Sequence, residues 1–219
     1  MTSITQRKKH TKAAPRSRMA AADRRIAILE ASRGAFAVQG FHETSLDSVA
    51  ERAGVSKALL YEHFGSKREL FAAMLEAHVE ELIARINGAV AEAEPGEKRL
   101  RAGLEAFFGF VEERRGAWQI MFRNAGDPDV AISIVKLRDE VAAAIVQVMS
   151  EEAAARGLEG PELPLMVEMI AQQLVGAMQS LADWWDMNRK VPKAEMVQAA
   201  MDFVWLGQER LSSGERWEP

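Results

Sequence analysis

Apolar residues recur every three or four positions along almost the whole chain, and no segment sustains a two-residue alternation. A 3.6-residue period gathers such positions on one side of a helix, so the pattern predicts an all-α fold of about nine helices. Ile28, Leu29, Ser32, Ala35 and Phe36 share one side of a first helix from about Ala21 to Gln39, and Gly40 fits its terminator position. Thr44 precedes Asp47, and Ser66 precedes Glu69, at the spacing of a capping box, which marks two further helix starts. Between them Leu46, Val49 and Ala50 keep helical spacing, Gly54 ends that helix, and Ser56 caps another that begins at Lys57.

Two short helices joined by a glycine turn cross steeply, which leaves the second free to enter a DNA major groove. Val55, Leu60 and Phe64 form its core side, while Lys57, Ala58, Leu59, Tyr61 and His63 face outward. That outward set offers a cation, a hydroxyl, an imidazole and apolar groups able to touch a thymine methyl.

Beyond Ser66 a long helix carries Phe71, Leu75, Val79, Leu82 and Ile86 until Pro95 and Gly96 stop it. His78 and Glu81 share one of its sides; no third metal ligand has matching spacing, so that side reads as solvated. Leu104, Phe107, Phe108 and Val111 mark another helix, and Ala117 to Asn124 a short apolar one. Asp127 and Pro128 then restart a helix that runs to about Arg156, before Gly157, Gly160 and Pro161 break it.

The last two helices, Leu163 to Trp185 and Met196 to Leu211, are apolar on more than one face. One monomer core cannot cover both faces, so a second copy of the chain is expected against Met166, Ile170, Leu174, Leu181, Val197, Met201, Val204 and Trp205.

Composition narrows the chemistry. The 219 residues are 48% hydrophobic and 27% charged, ordinary for a soluble globular chain. No apolar run approaches the roughly 20 residues of a membrane span, and no secretion signal opens the chain, so no membrane partner and a cytoplasmic location are expected. There is no cysteine, hence no thiolate metal site and no thiol nucleophile. Net charge is −4, but residues 1–70 hold thirteen basic against seven acidic side chains, and the remainder fifteen against twenty-five. Attraction for a polyanion is therefore concentrated at one end. Arg7, Lys8, Lys9, Lys12, Arg16 and Arg18 make residues 1–20 a basic arm suited to phosphates or a minor groove, or to solubility alone.

With these residues in view, the segment from about Arg24 to Phe71 resembles the DNA-binding domain of the TetR family of bacterial repressors. The likeness rests on Ile28 and Leu29, Ala31, Phe36, Gly40 and Phe41, Thr44 and Ser45, Val49 and Ala50, the run Ala53 to Ser56, Leu60 and Tyr61, His63 and Phe64, and Ser66 and Lys67. It implies that Thr44, Tyr61, His63 and Lys67 contact phosphates while Lys57, Ala58 and Leu59 face base edges; Ser45 and Ser56 complete the candidate DNA-binding set. Ala58 and Leu59 stand where many members carry Gly and Thr, and Glu62 where an aromatic is common, so no relative's operator transfers to this chain.

The resemblance further implies a symmetric four-helix bundle built from the last two helices, and an effector pocket among the central ones. Candidates to line that pocket are Phe107, Phe108, Val111, Trp118, Met121, Phe122, Met178 and Trp185, because aromatic and Met side chains adapt to varied apolar molecules; ordinary core is the alternative. Gln119, Gln172, Gln173 and Asp183 are the polar groups available to orient a ligand.

The expected organisation is a basic arm over 1–20, a helix-turn-helix domain over 21–66 and an effector-binding and dimerisation domain over 67–219. The expected function is a homodimeric repressor, without cofactor, that leaves a pseudo-palindromic double-stranded operator when a small apolar or amphipathic effector binds. An architectural or partner-gated DNA-binding protein with no such effector is the alternative. A helical-cavity enzyme is disfavoured, since His10, His42, His63 and His78 are the only histidines and no acid and base are paired at recognisable spacing.

Overall fold

A computed structural model describes residues 21–116, 118–119 and 128–212. Eight helices are assigned among them: α1 Ala21–Glu43, α2 Leu46–Ala53, α3 Lys57–His63, α4 Lys67–Glu92, α5 Glu97–Glu113, α6 Pro128–Ala155, α7 Leu163–Met187 and α8 Lys193–Ser212. No strand occurs among the described residues, so the fold is all-α as the periodicity required. The basic arm, Asp127 and most of the expected short helix Ala117–Asn124 lie outside the described residues.

Local chemistry sets the short elements. Within α1, Gly40 adopts φ 78° and breaks the helical run at the expected terminator. The start of α2 differs by one residue from expectation. Its cap is Ser45, whose hydroxyl accepts from the Ser48 N–H, whereas the Thr44 hydroxyl is buried and donates to the Gly40 carbonyl at 2.7 Å. Both residues have capping chemistry, and the hydroxyl that reaches a preceding carbonyl closes the turn instead of opening the helix. Gly54 then takes a left-handed conformation, φ 67°, and its N–H and that of Val55 close on the last turn of α2. A side chain there would be strained, which is why a glycine ends this helix. Ser56 and Ser66 cap α3 and α4 by accepting from Leu59 N–H and Glu69 N–H.

Packing follows the apolar stripes. α1 lies on α2 and α4, α4 on α5 and α6, α6 on α7, and α5 on α8. One hydrophobic cluster joins Ile28, Phe36, Val49, Leu60, Phe64, Phe71, Met74 and Val79 to Ile134 and Leu137 of α6. A second collects Leu104, Phe108, Trp118, Met178, Trp185, Met196 and Met201 from α5, α7, α8 and the segment after α5. The buried Trp185 ring satisfies its N–H by donating to the Val191 carbonyl at 2.8 Å.

At the centre of the first cluster Phe71 meets Phe36 edge-on, centroids 5.0 Å apart, and Phe41 at the same separation. Such ring pairs add to the burial of the rings themselves. Phe71→Ala is expected to lower unfolding stability by about 3–5 kcal/mol, the usual range for emptying a buried aromatic site, as read by urea denaturation of the full chain.

Candidate DNA-reading surface and effector cavity

α3 is seven residues long and packs by Leu60 and Phe64, both buried, with Val55 partly buried beside them. Lys57, Ala58 and Tyr61 are exposed, and Leu59 and His63 are half-buried. The face expected to read bases is thus presented outward. Arg25 of α1 lies 4.7 Å over the Phe64 ring, which ties the end of α3 to α1.

Three expected contacts prove to be engaged within the protein. Thr44 is 2% exposed and its hydroxyl is committed to Gly40, so it cannot reach a phosphate without leaving that bond. Lys67 donates to the carbonyls of His42 and Thr44, at 2.8 and 3.1 Å, and its ammonium stands 5.0 Å over the Phe41 ring. It staples the end of α1 to the start of α4. Lys57 pairs with Asp47 of α2 at 2.8 Å, and the hydrogen bond to that carboxylate raises the lysine pKa, so the residue stays cationic but begins with a competitor.

Along α4 runs a cavity of about 1020 Å³, bounded also by α5, α6, α7 and Trp205 of α8. This lies at the upper end of ordinary ligand pockets. Its wall is mainly aliphatic, with Ile83, Ile86, Val141, Ile145, Val148 and Ile170 prominent. Of the residues expected there, Phe107, Trp118 and Met178 line it. Phe108, Val111 and Trp185 do not: they are buried core, and Phe108 packs edge-on against Trp185 with centroids 5.8 Å apart. Met121 and Phe122 lie outside the described residues. Among the expected polar groups, Asp183 accepts from the Trp118 indole at 2.8 Å and Gln119 donates to Asp186 at 2.6 Å, so both anchor the segment after α5 to α7. Burial pushes the Asp183 carboxyl up, against the opposing hydrogen bond from Trp118. Gln172 and Gln173 are exposed and absent from the wall.

The expected dimer residues are largely turned inward. Met166, Ile170, Leu174 and Trp205 line the cavity, Val197 and Met201 are buried in the second cluster, and Leu181 and Val204 pack on it. On a helix apolar nearly all round, periodicity does not say which stripe faces its own core. The outward stripe is Leu165, Met169, Trp184 and Met187 on α7, with Phe203 and Leu206 on α8; Met187 is 78% and Phe203 73% exposed.

Comparison with known proteins places this arrangement. The family description "Bacterial regulatory proteins, tetR family" matches residues 28–74, and "Tetracyclin repressor-like, C-terminal domain" matches residues 96–207. The chain belongs to the TetR family. It is 33% identical over 188 residues to the HTH-type transcriptional activator FasR of Mycolicibacterium smegmatis, covering 84% of this chain and 83% of that protein. It is 32% identical over 138 residues to the nucleoid occlusion factor SlmA of Alteromonas mediterranea, covering 62% and 71%. A TetR-like transcriptional regulator from Rhodococcus sp. RHA1 superposes with TM-score 0.66 at 28% identity, covering 90% of this chain and all of that one. The chain is accordingly a transcriptional regulator of the DNA-binding helix-turn-helix kind.

In this TetR-family chain the head meets the body through a charged junction that periodicity did not reveal. Glu81 of α4 accepts from Arg114 at 2.9 Å and Arg85 at 2.8 Å and lies 3.9 Å from Arg33 of α1, while Arg85 also pairs with Glu113 at 2.6 Å. Burial opposes ionisation of Glu81, but the hydrogen bond from Arg114 and the charges of Arg114, Arg85 and Arg33 outweigh it and hold the carboxyl below its usual range. Two residues past Arg114, a Cβ on Gly116 would stand 3.2 Å from the Ala37 Cβ, so a glycine lets this segment approach α1. His78, expected on a solvated side, is instead 1% exposed, edge-on to Phe110, and neither ring nitrogen has a hydrogen-bond partner.

Two outcomes follow from these contacts. Asp47→Ala frees Lys57 and removes a negative charge from the reading side, so DNA affinity in a titration is expected to rise about twofold to fivefold, the range of an exposed ion pair. Burial, with the charges of Arg33 and Arg114, lowers the His78 pKa to about 4. Between its ordinary value near 6.5 and about 4 the unfolded chain therefore takes up a proton that the folded chain refuses, and stability falls as pH falls through that window. The His78 contribution is roughly 3 kcal/mol. In chemical denaturation at stepped pH, His78→Phe is expected to flatten the curve by that amount; an unchanged slope would show that His78 is not held neutral.

Proposed function

We propose that this chain acts as a homodimer that places two α3 helices on a pseudo-palindromic DNA operator and adjusts its affinity when a small apolar or amphipathic ligand occupies the cavity. The observation that carries the reading is α3 itself, a capped helix anchored by Leu60 and Phe64 that turns Lys57, Ala58 and Tyr61 to solvent on the basic end of the chain. The apolar stripe on α7 and α8 supports the dimer, since exposed patches of this kind serve as interfaces and a two-fold axis repeats the head at a fixed spacing. Lys57, Ala58 and Leu59 face base edges in this reading; Tyr61, His63 and Ser56 approach phosphates, with Ser45 at the α2 start. Lys67 and Thr44 serve the head chiefly by holding its turn together.

The cavity supports control by a ligand. A molecule bound more tightly in one arrangement of α4 and α6 than in another shifts the heads, and with them DNA affinity. Occupancy of a promoter makes repression the simplest result, though the relative FasR is named an activator and ligand-controlled binding serves either sense. The second reading, DNA binding without a small-molecule effector, is favoured by the similarity to proteins named nucleoid occlusion factors; the size and apolar wall of the cavity favour the first.

Selection of bound sequences from random DNA tests the proposal. An enriched inverted repeat, with half-sites one helical turn or a multiple apart, is expected. Lys57→Ala and Leu59→Ala should then change the preferred bases, while Tyr61→Phe weakens all sites nearly alike. Enrichment of no repeat, or preferences untouched by either α3 substitution, would overturn the assignment.

A further inference from the structure

The cavity wall is not chemically uniform along its length. α4 borders it from Val79 to Val90, a rise of about 16 Å at 1.5 Å per residue. At the Val79 end the wall includes Leu137, and both residues belong to the hydrophobic cluster that holds α1, α2 and α3. At the other end Gly96, Arg99, Glu152 and Arg156 converge. There Arg99 Nη1 donates to Glu152 Oε2 at 2.8 Å, and Arg156 donates to Glu152 Oε1 from Nη2 at 2.8 Å and Nε at 3.0 Å.

Two guanidiniums thus share one carboxylate, which leaves the cluster one positive charge in excess. Arg99 Nε is buried without a hydrogen-bond partner, a costly state that an incoming acceptor relieves. Arg156 is exposed at the rim, as are Glu159 and Glu162, which also border this end, and Arg138 elsewhere on the wall. Water and salt screen these four charges alike, so the less exposed Arg99, with its buried Nε, is the group that selects the head.

We infer that the ligand is a single-chain amphiphile with an anionic head, carboxylate or phosphate, which sits on Arg99 and Arg156 in competition with Glu152 and points its tail toward Val79 and Leu137. The inference rests on the ligand-responsive reading above and adds the charge and direction of the ligand. A guanidinium matches either head group through paired N–H donors. The shape of the cavity then separates binding from response. A short tail fills the end near Arg99 and binds; a tail that reaches Val79 and Leu137 presses on the cluster that seats α3, and only then changes DNA affinity.

The test measures ligand affinity and operator affinity of the full chain with straight-chain carboxylates of eight to eighteen carbons, alkyl phosphates and alcohols of matching length. An anionic member is expected to bind at least about tenfold more tightly than the alcohol of equal length. Arg99→Gln should erase that difference and Glu152→Gln should widen it, and only the longer anionic members should alter operator affinity. The tighter of carboxylate and phosphate identifies the head group. Equal binding of acid and alcohol, or anion binding unmoved by Glu152→Gln, overturns the inference; if Arg99→Gln does not fold, those two comparisons still decide it. Alcohols that bind as well as the acids and shift operator affinity would sink the anionic head while leaving ligand control intact, whereas no response to any of the three series would remove both.

Discussion

The position of the reading helix depends on apolar contacts that the helix does not own. A seven-residue helix is too short to persist in water by itself, so α3 exists because Leu60 and Phe64 are buried against residues of α1, α2 and α4. The same cluster continues through Phe71, Met74 and Val79 into Ile134 and Leu137 of α6. The surface that would meet DNA and the wall of the cavity are therefore two sides of one packed body. Val79 and Leu137 on the cavity wall belong to the same cluster as Leu60 and Phe64, so continuous apolar packing joins the cavity to the seat of α3.

Charge refines what packing establishes. Glu81 gathers Arg33, Arg85 and Arg114 from three segments at the line where head meets body, and Lys67 and Lys57 hold the turns of the head. The partly buried pairs fix orientation more than they add stability, because desolvation offsets much of their attraction. His78 lies beside them as a neutral side chain among arginines. The junction is thus held by geometry as well as by apolar burial.

Features decided within a few residues were legible in the sequence. Ser56, Ser66, Gly54 and Gly40 each do locally what their type predicts, and the α3 faces follow from Val55, Leu60 and Phe64. The α2 cap shifted from Thr44 to Ser45 because adjacent hydroxyls compete, and only the turn geometry decides between them. Features decided between distant segments were less legible. Phe108, Val111 and Trp185 have the composition of a pocket lining but fill the core, and Met166, Ile170 and Leu174 face the cavity, not an outer surface. Gaps in apolar character along α7 carried a signal: Leu165, Met169, Trp184 and Met187 share a stripe with Gln172, Gln173 and Ser180, and that polar admixture marks the outward side. His78 lies on a buried side although neighbouring Glu80 and Glu81 suggest solvent, because Phe110 of α5, Arg114 just past it and Arg33 of α1 face it.

The central claim is that two copies of this chain present their α3 helices together to one duplex. The chain has no cysteine, so Glu62→Cys on the exposed side of α3 provides one site for a spin label on each copy. Pulsed dipolar spectroscopy on the DNA-bound protein is expected to give one narrow distance near about 34 Å, a turn of B-DNA, or near a multiple of it. Absence of dipolar coupling at saturating DNA, or a broad distribution matching no helical repeat, would contradict the account.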